Sequence, residues 1–269
     1  MTTAVAIAAV LFVLVAVNLW VHVGPDGVHI VTGPLAALLL LALARAAGLT
    51  WTELGLGSQT LLPGVQYAAV AVVVVAVVYA AGVAIPVTRG AFRDTRYHLG
   101  LRAALYLSLV AIPLGTVLFE EVAFRGVLWG LLARDFGIPV ATAVSAILFG
   151  LWHVLPAVDL ARTHISVRGV TAAGGRRVAF TVLATILFTT IAGVLFAELR
   201  RRSGSLVAPI GLHWATNGLG VLAAARVWAI SPEVVSTRAQ TAPLDPGGPP
   251  GSVTQPQWQR IARRLSGRS

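Results

Sequence analysis

Residues 101–135, LRAALYLSLVAIPLGTVLFEEVAFRGVLWGLLARD, form an apolar block that carries Glu120, Glu121 and Arg125 inside it. A helix crossing the hydrocarbon core of a bilayer needs about 20 residues, so this block is too long for one simple span. It reads either as one long helix kinked at Pro113 or as two helices broken near the glutamates. Working outward, further apolar blocks fall at 3–21, 31–47, 64–87, 138–156, 178–199 and 206–229. The expected fold is therefore all-α, a polytopic transmembrane helix bundle with seven spans, or eight if block 101–135 divides.

Composition points the same way. Hydrophobic residues make up 57% of the 269 and charged residues only 11%, with a mean hydropathy of +0.83. A soluble domain of this length cannot bury so much apolar surface, so the bilayer is part of the solvent. There is no cysteine, which removes disulfides, thiolate metal sites and a cysteine nucleophile. The net charge is +10, and all twenty basic residues are arginine, mostly between the apolar blocks. That pattern is expected of loop charges set against anionic lipid, not of a nucleic-acid surface. With seven spans and the N-terminus outside, thirteen arginines fall inside (at 89–102, 162–177 and 238–268) and five outside (at 45, 134 and 200–202). The first block lacks a basic leader and a nearby small-residue cleavage site, and reads as a retained helix. The expected location is the bacterial plasma membrane, with multiple passes. Three regions result: N-terminal transmembrane helices over 1–100, a core over 101–230, and a flexible Pro/Gly-rich basic tail over 231–269 that cannot form a core of its own.

An ionisable side chain at the bilayer centre costs roughly 2.5–3.5 kcal/mol on insertion scales, which makes it a functional candidate. Glu121 and Arg125 are four apart and share a helix face, suited to an ion pair. Glu120 points about 100° away and lacks that partner. The next block supplies Phe149 and His153, again four apart. Glu120 and His153 lie about equally far from the turn at 135–139, so antiparallel neighbours bring them to a common depth as a candidate general-base pair. The last block supplies His213 and Asn217, one turn apart, which can aim an imidazole and a carboxamide at one oxyanion.

Two chemistries remain open for this set. In one, Glu120, oriented by His153, deprotonates a water that attacks a peptide carbonyl while His213 and Asn217 hold the oxyanion. In the other, Glu120, His153 and His213 ligate a divalent metal such as zinc, with a position left for water. Other intramembrane protease sites are missing their residues: there is no HExxH, no serine in a GxSG setting and no aspartate pair within spans.

EEVAFR (120–125), FGLWH (149–153) and HWATN (213–217) resemble the EExxxR, FxxxH and HxxxN motifs of the CPBP family, the CAAX proteases and bacteriocin-processing enzymes also called Abi. The resemblance covers roughly 101–225. It implies a helical intramembrane endopeptidase, with catalytic roles for Glu120, His153, His213 and Asn217 and motif positions at Glu121 and Arg125. It also implies a membrane-associated peptide or protein as substrate, and leaves metalloprotease and glutamate-type mechanisms both open. Eukaryotic relatives remove the last three residues of prenylated CAAX proteins. The alternative reading is a non-catalytic membrane protein serving binding, immunity or scaffolding.

Overall fold

The computed structural model describes residues 2–25, 27–163 and 173–231; the tail expected beyond Ser231 lies outside them. Among the described residues every regular element is helical. The helices are α1 (Thr3–Val23), α2 (His29–Ala46), α3 (Leu61–Ala84), α4 (101–136), α5 (138–152), the short α6 (Val154–Thr163), α7 (Ala173–Ser203) and α8 (207–230). Among the described residues there are, by length and apolarity, five candidate membrane spans, and α4 and α5 share one of them. The molecule is an integral membrane protein.

Block 101–135 is one helix, unbroken at the glutamates. At ~1.5 Å per residue, α4 is ~54 Å long, well beyond the ~30 Å core of a bilayer. It holds three widened π-type turns, at Leu107–Ala111, Pro113–Val117 and Val122–Leu128. Pro113 opens the second, where its missing N–H removes a helical bond. The helix ends at Gly137, whose φ of 82° and ψ of 168° suit only a residue without a Cβ. Pro139 follows in the first turn of α5, where no N–H is required of it.

The two helices fold back on each other. Trp129 Nε1 donates to Thr142 Oγ1 (3.2 Å), Ser145 Oγ to the Phe124 carbonyl (2.8 Å), and Trp152 Nε1 to Glu120 Oε1 (2.9 Å). These pairs step away from Gly137 in register, as an antiparallel helical hairpin requires. Helix α7 closes against α5 through small residues: a Cβ on Gly150 would run into Thr190 and the Ile186 carbonyl. With no hydrophobic drive between helices in lipid, close backbone approach supplies the packing.

One end of the bundle is fastened by the loop between α2 and α3. Thr50 and Glu53 cap each other, Glu53 N–H donating to Thr50 Oγ1 (3.1 Å) and Thr50 N–H to Glu53 Oε2 (2.7 Å). Arg134, near the end of α4, grips both Glu53 oxygens (3.1 and 3.0 Å) and donates to the Gly48 carbonyl (2.9 Å). Arg200, from α7, is buried beneath the loop and donates to the Glu53 carbonyl (2.9 Å). The Gly55 carbonyl accepts from Leu206 N–H (2.9 Å), at the entry to α8. This clamp sets how far α4, α7 and α8 rise relative to one another, and so fixes the level at which their polar residues meet.

Candidate active site

Four of the polar side chains singled out above meet between α4, α5 and α8. Glu120 and Glu121 lie in the α-helical turn between two π-turns of α4, so consecutive side chains leave the helix in different directions. Glu121 faces α8: its Oε1 accepts from Arg125 Nη1 (3.1 Å) and lies 2.7 Å from His213 Nδ1. A carboxylate oxygen only accepts here, so His213 carries its proton on Nδ1 and presents Nε2 to the other side. That Nε2 lies 3.9 Å from Glu120 Oε2. Glu120 Oε1 is occupied by the Trp152 indole, while Oε2 is buried with no hydrogen-bond partner among the described residues.

The ion pair of Glu121 and Arg125 is fully buried, at 0% exposure for both side chains. Such a pair needs compensation for lost hydration, and aromatic faces give part of it. The Arg125 guanidinium carbon lies 3.9 Å from the Phe149 ring centre and 4.9 Å from that of Phe196. A cation over a desolvated π-face contributes about 2 kcal/mol. Arg125 Nε and Nη2 have no hydrogen-bond partner among the described residues.

Phe149 is the hub of this layer. His153 packs edge-on to it at 4.7 Å and His213 at 5.9 Å, and Phe196 stacks on His213 at 5.0 Å. His153 ends α5 and gives its Nδ1–H to the Phe149 carbonyl (2.8 Å), which leaves its Nε2 open. The residue in hydrogen-bond contact with Glu120 is thus Trp152, not His153. Asn217 sits in a further widened turn, Ala215–Leu219; its side chain is exposed and makes no hydrogen bond among the described residues. Glu120, Glu121, Arg125, Phe149 and His213 are brought together, His153 lies at the edge of their layer, and Asn217, exposed, makes no hydrogen bond with them among the described residues.

Trp152, Phe196 and the contact of Glu121 with His213 were not visible in the sequence. Trp152 had one signal: it stands three residues after Phe149, on the face that turns toward α4. Phe196 lies in an apolar run without any distinguishing neighbour.

As potential metal ligands, Glu120 and His213 face each other, two of the three or more protein donors that zinc takes. Among the described residues no group of three His, Asp or Glu side chains is gathered closely enough to hold an ion. The donors as placed fall short of a ligand set. Their oxygen and nitrogen acceptors, 3.9 Å apart, have the spacing at which one water molecule can give an O–H to each.

Residues 102–219 match the family model described as type II CAAX prenyl endopeptidase Rce1-like. The matched segment contains all three motifs and the whole of the buried layer. Neither a curated protein nor a solved structure matches the chain.

Proposed function

We propose, on the match of residues 102–219 to the Rce1-like model of type II CAAX prenyl endopeptidases, that this chain is an intramembrane endopeptidase. It hydrolyses a peptide bond in a membrane-associated peptide or protein, with Glu120 as the base. The observation that carries the reading is the unpartnered Glu120 Oε2 facing His213 Nε2 at 3.9 Å in a buried layer.

Water held there donates one O–H to Oε2 and the other to Nε2, leaving an oxygen lone pair for the scissile carbonyl. As the water oxygen bonds to the carbonyl carbon, its proton passes to Glu120 and the C=O electron pair moves onto oxygen. The tetrahedral intermediate then expels the amine, breaking the C–N bond, and Glu120 returns the proton to that nitrogen. With its Nδ1–H committed to Glu121, neutral His213 serves to orient the water. The amide of Asn217 is assigned to the oxyanion, and His153, with its open Nε2, to the relay that carries protons onward. Prenylated C-terminal peptides are the substrate class that the family suggests.

The test is cleavage by the full chain in liposomes of C-terminal membrane peptides, prenylated and plain. Cleavage is expected for the wild type and not for Glu120→Gln with an unchanged helical spectrum. Cleavage that survives Glu120→Gln, or its absence from the wild type on every peptide, overturns the proposal.

A further inference from the structure

Tyr79 belongs to α3, ahead of the segment that the family model matches, yet it bonds to the backbone of the helix that carries His213. Its hydroxyl donates to the Thr216 carbonyl at 2.9 Å. That carbonyl lies within the widened turn Ala215–Leu219. An extra residue in a helical turn displaces carbonyls from the regular ladder and opens one to an outside donor. The pattern recurs twice in α4. The Ser108 carbonyl, in the turn Leu107–Ala111, accepts from Trp214 Nε1 (2.9 Å), and the Phe124 carbonyl, in Val122–Leu128, accepts from Ser145 Oγ (2.8 Å). Each of these widened turns meets one side-chain donor from a neighbouring helix.

The Tyr79 donor is firmly placed and directly coupled to the site. Phe92 meets its ring edge-on at 5.6 Å. Thr216 in turn gives its Oγ1–H to the His213 carbonyl (2.9 Å), so one residue links the Tyr79 hydroxyl to the His213 peptide. Changing the turn from wide to regular register rotates the residues beyond it by tens of degrees, on the order of the difference between the two helix types over one turn. Asn217 lies inside that turn, and its bearing relative to His213 depends on it.

We propose that Tyr79 is a positioning residue: its hydroxyl holds the 215–219 turn in the wide register and so sets the bearings of His213 and Asn217 about Glu120. The activity part of the test rests on the endopeptidase reading; the backbone part does not. The full chain in detergent is compared as wild type, Tyr79→Phe and Tyr67→Phe. Tyr67 is an exposed tyrosine of the same helix. Amide hydrogen exchange is followed over 213–220, with cleavage kinetics on a peptide that the wild type cuts.

Tyr79→Phe is expected to raise exchange in 213–220 about tenfold and to lower kcat about tenfold at unchanged KM, the scale of one lost hydrogen bond. The thermal midpoint should stay within a few degrees, and Tyr67→Phe should change none of the three. Wild-type exchange in Tyr79→Phe overturns the proposal, as does raised exchange with wild-type kcat, or the same effects from Tyr67→Phe. If the wild type cuts no peptide, the endopeptidase reading fails by itself; unchanged exchange still overturns the lock, and raised exchange supports it.

Discussion

His213 and Glu121, 92 residues apart in sequence, are joined by a 2.7 Å bond between Nδ1 and Oε1. The same carboxylate oxygen takes Arg125 Nη1 at 3.1 Å. One acidic side chain therefore does two things: it neutralises a fully buried guanidinium, and it fixes which nitrogen of His213 faces Glu120. The separation of these roles is open to experiment, because the first concerns folding and the second concerns chemistry.

Replacing Glu121 alone by Gln leaves Arg125 buried without its counter-charge, a loss of about 3–5 kcal/mol. Replacing both, as Glu121→Gln with Arg125→Met, removes the orphaned charge and is expected to restore most of the lost thermal stability. The double variant still lacks the carboxylate that orders the imidazole, so its cleavage rate should remain at least about 100-fold below wild type. Thermal unfolding in detergent beside an initial-rate assay checks this. Full recovery of rate in the double variant would show that Glu121 acts only on folding.

Trp152 is a second divisible contact. Its ring packs at 5.7 Å from Phe119 and 6.0 Å from Phe124, while its N–H serves Glu120 Oε1. Trp152→Phe keeps most of the packing and leaves a buried acceptor without a donor, at a cost of about 1–3 kcal/mol. The expected outcome is a fall in kcat/KM of about tenfold or more, with the helical spectrum unchanged. A wild-type rate would mean that the indole bond has no bearing on Glu120 as a base.

How much of this was legible beforehand follows from what each feature leaves in the sequence. Spans announce themselves as apolar runs, and the hairpin as Gly137 followed by Pro139 after a polar Asp135. The pairing of Glu121 with Arg125 follows from a spacing of four. The widened turns around Leu107, Pro113, Val122 and Ala215 leave almost no trace. One extra residue per turn does not disturb the pattern of a segment that is apolar all round. The bond from Glu121 to His213 depends on how α4 and α8 cross, which local spacing does not encode. The clamp had a partial signal: Thr50-x-x-Glu53 is a capping box, but nothing near it pointed to Arg134 or Arg200.

Metal dependence can be decided by removal. Because Glu120 and His213 supply only two facing donors, exhaustive dialysis against a chelator is expected to leave cleavage within about twofold of the untreated enzyme. A loss of activity reversed by added zinc would show that a third ligand joins them, and would move the chemistry to an ion-bound water.

The loop clamp predicts an acid limit to stability. Burial acts to raise the Glu53 carboxyl, but bonds from the Thr50 N–H and hydroxyl and the Arg134 guanidinium outweigh it and bring the group below its ordinary value of 4.5. A carboxylate whose pKa is lower folded than unfolded contributes stability that is fully present above the unfolded value. That contribution is lost as pH falls through the folded one. Between neutral pH and about 5 the clamp should therefore hold, and below about 4.5 it should weaken progressively. The Glu53 side chain is 38% exposed, so solvent screening keeps the effect small, within the ~0–1 kcal/mol typical of surface pairs. Glu53→Gln should lower the thermal midpoint slightly at neutral pH and flatten its decline below pH 4.5. Arg134→Gln leaves the Thr50 bonds to Glu53 in place, so it should lower the midpoint in the same direction and flatten the acid decline less. If both variants track the wild-type curve in parallel through the acid range, the acid sensitivity lies elsewhere and the clamp does not set the level of α4.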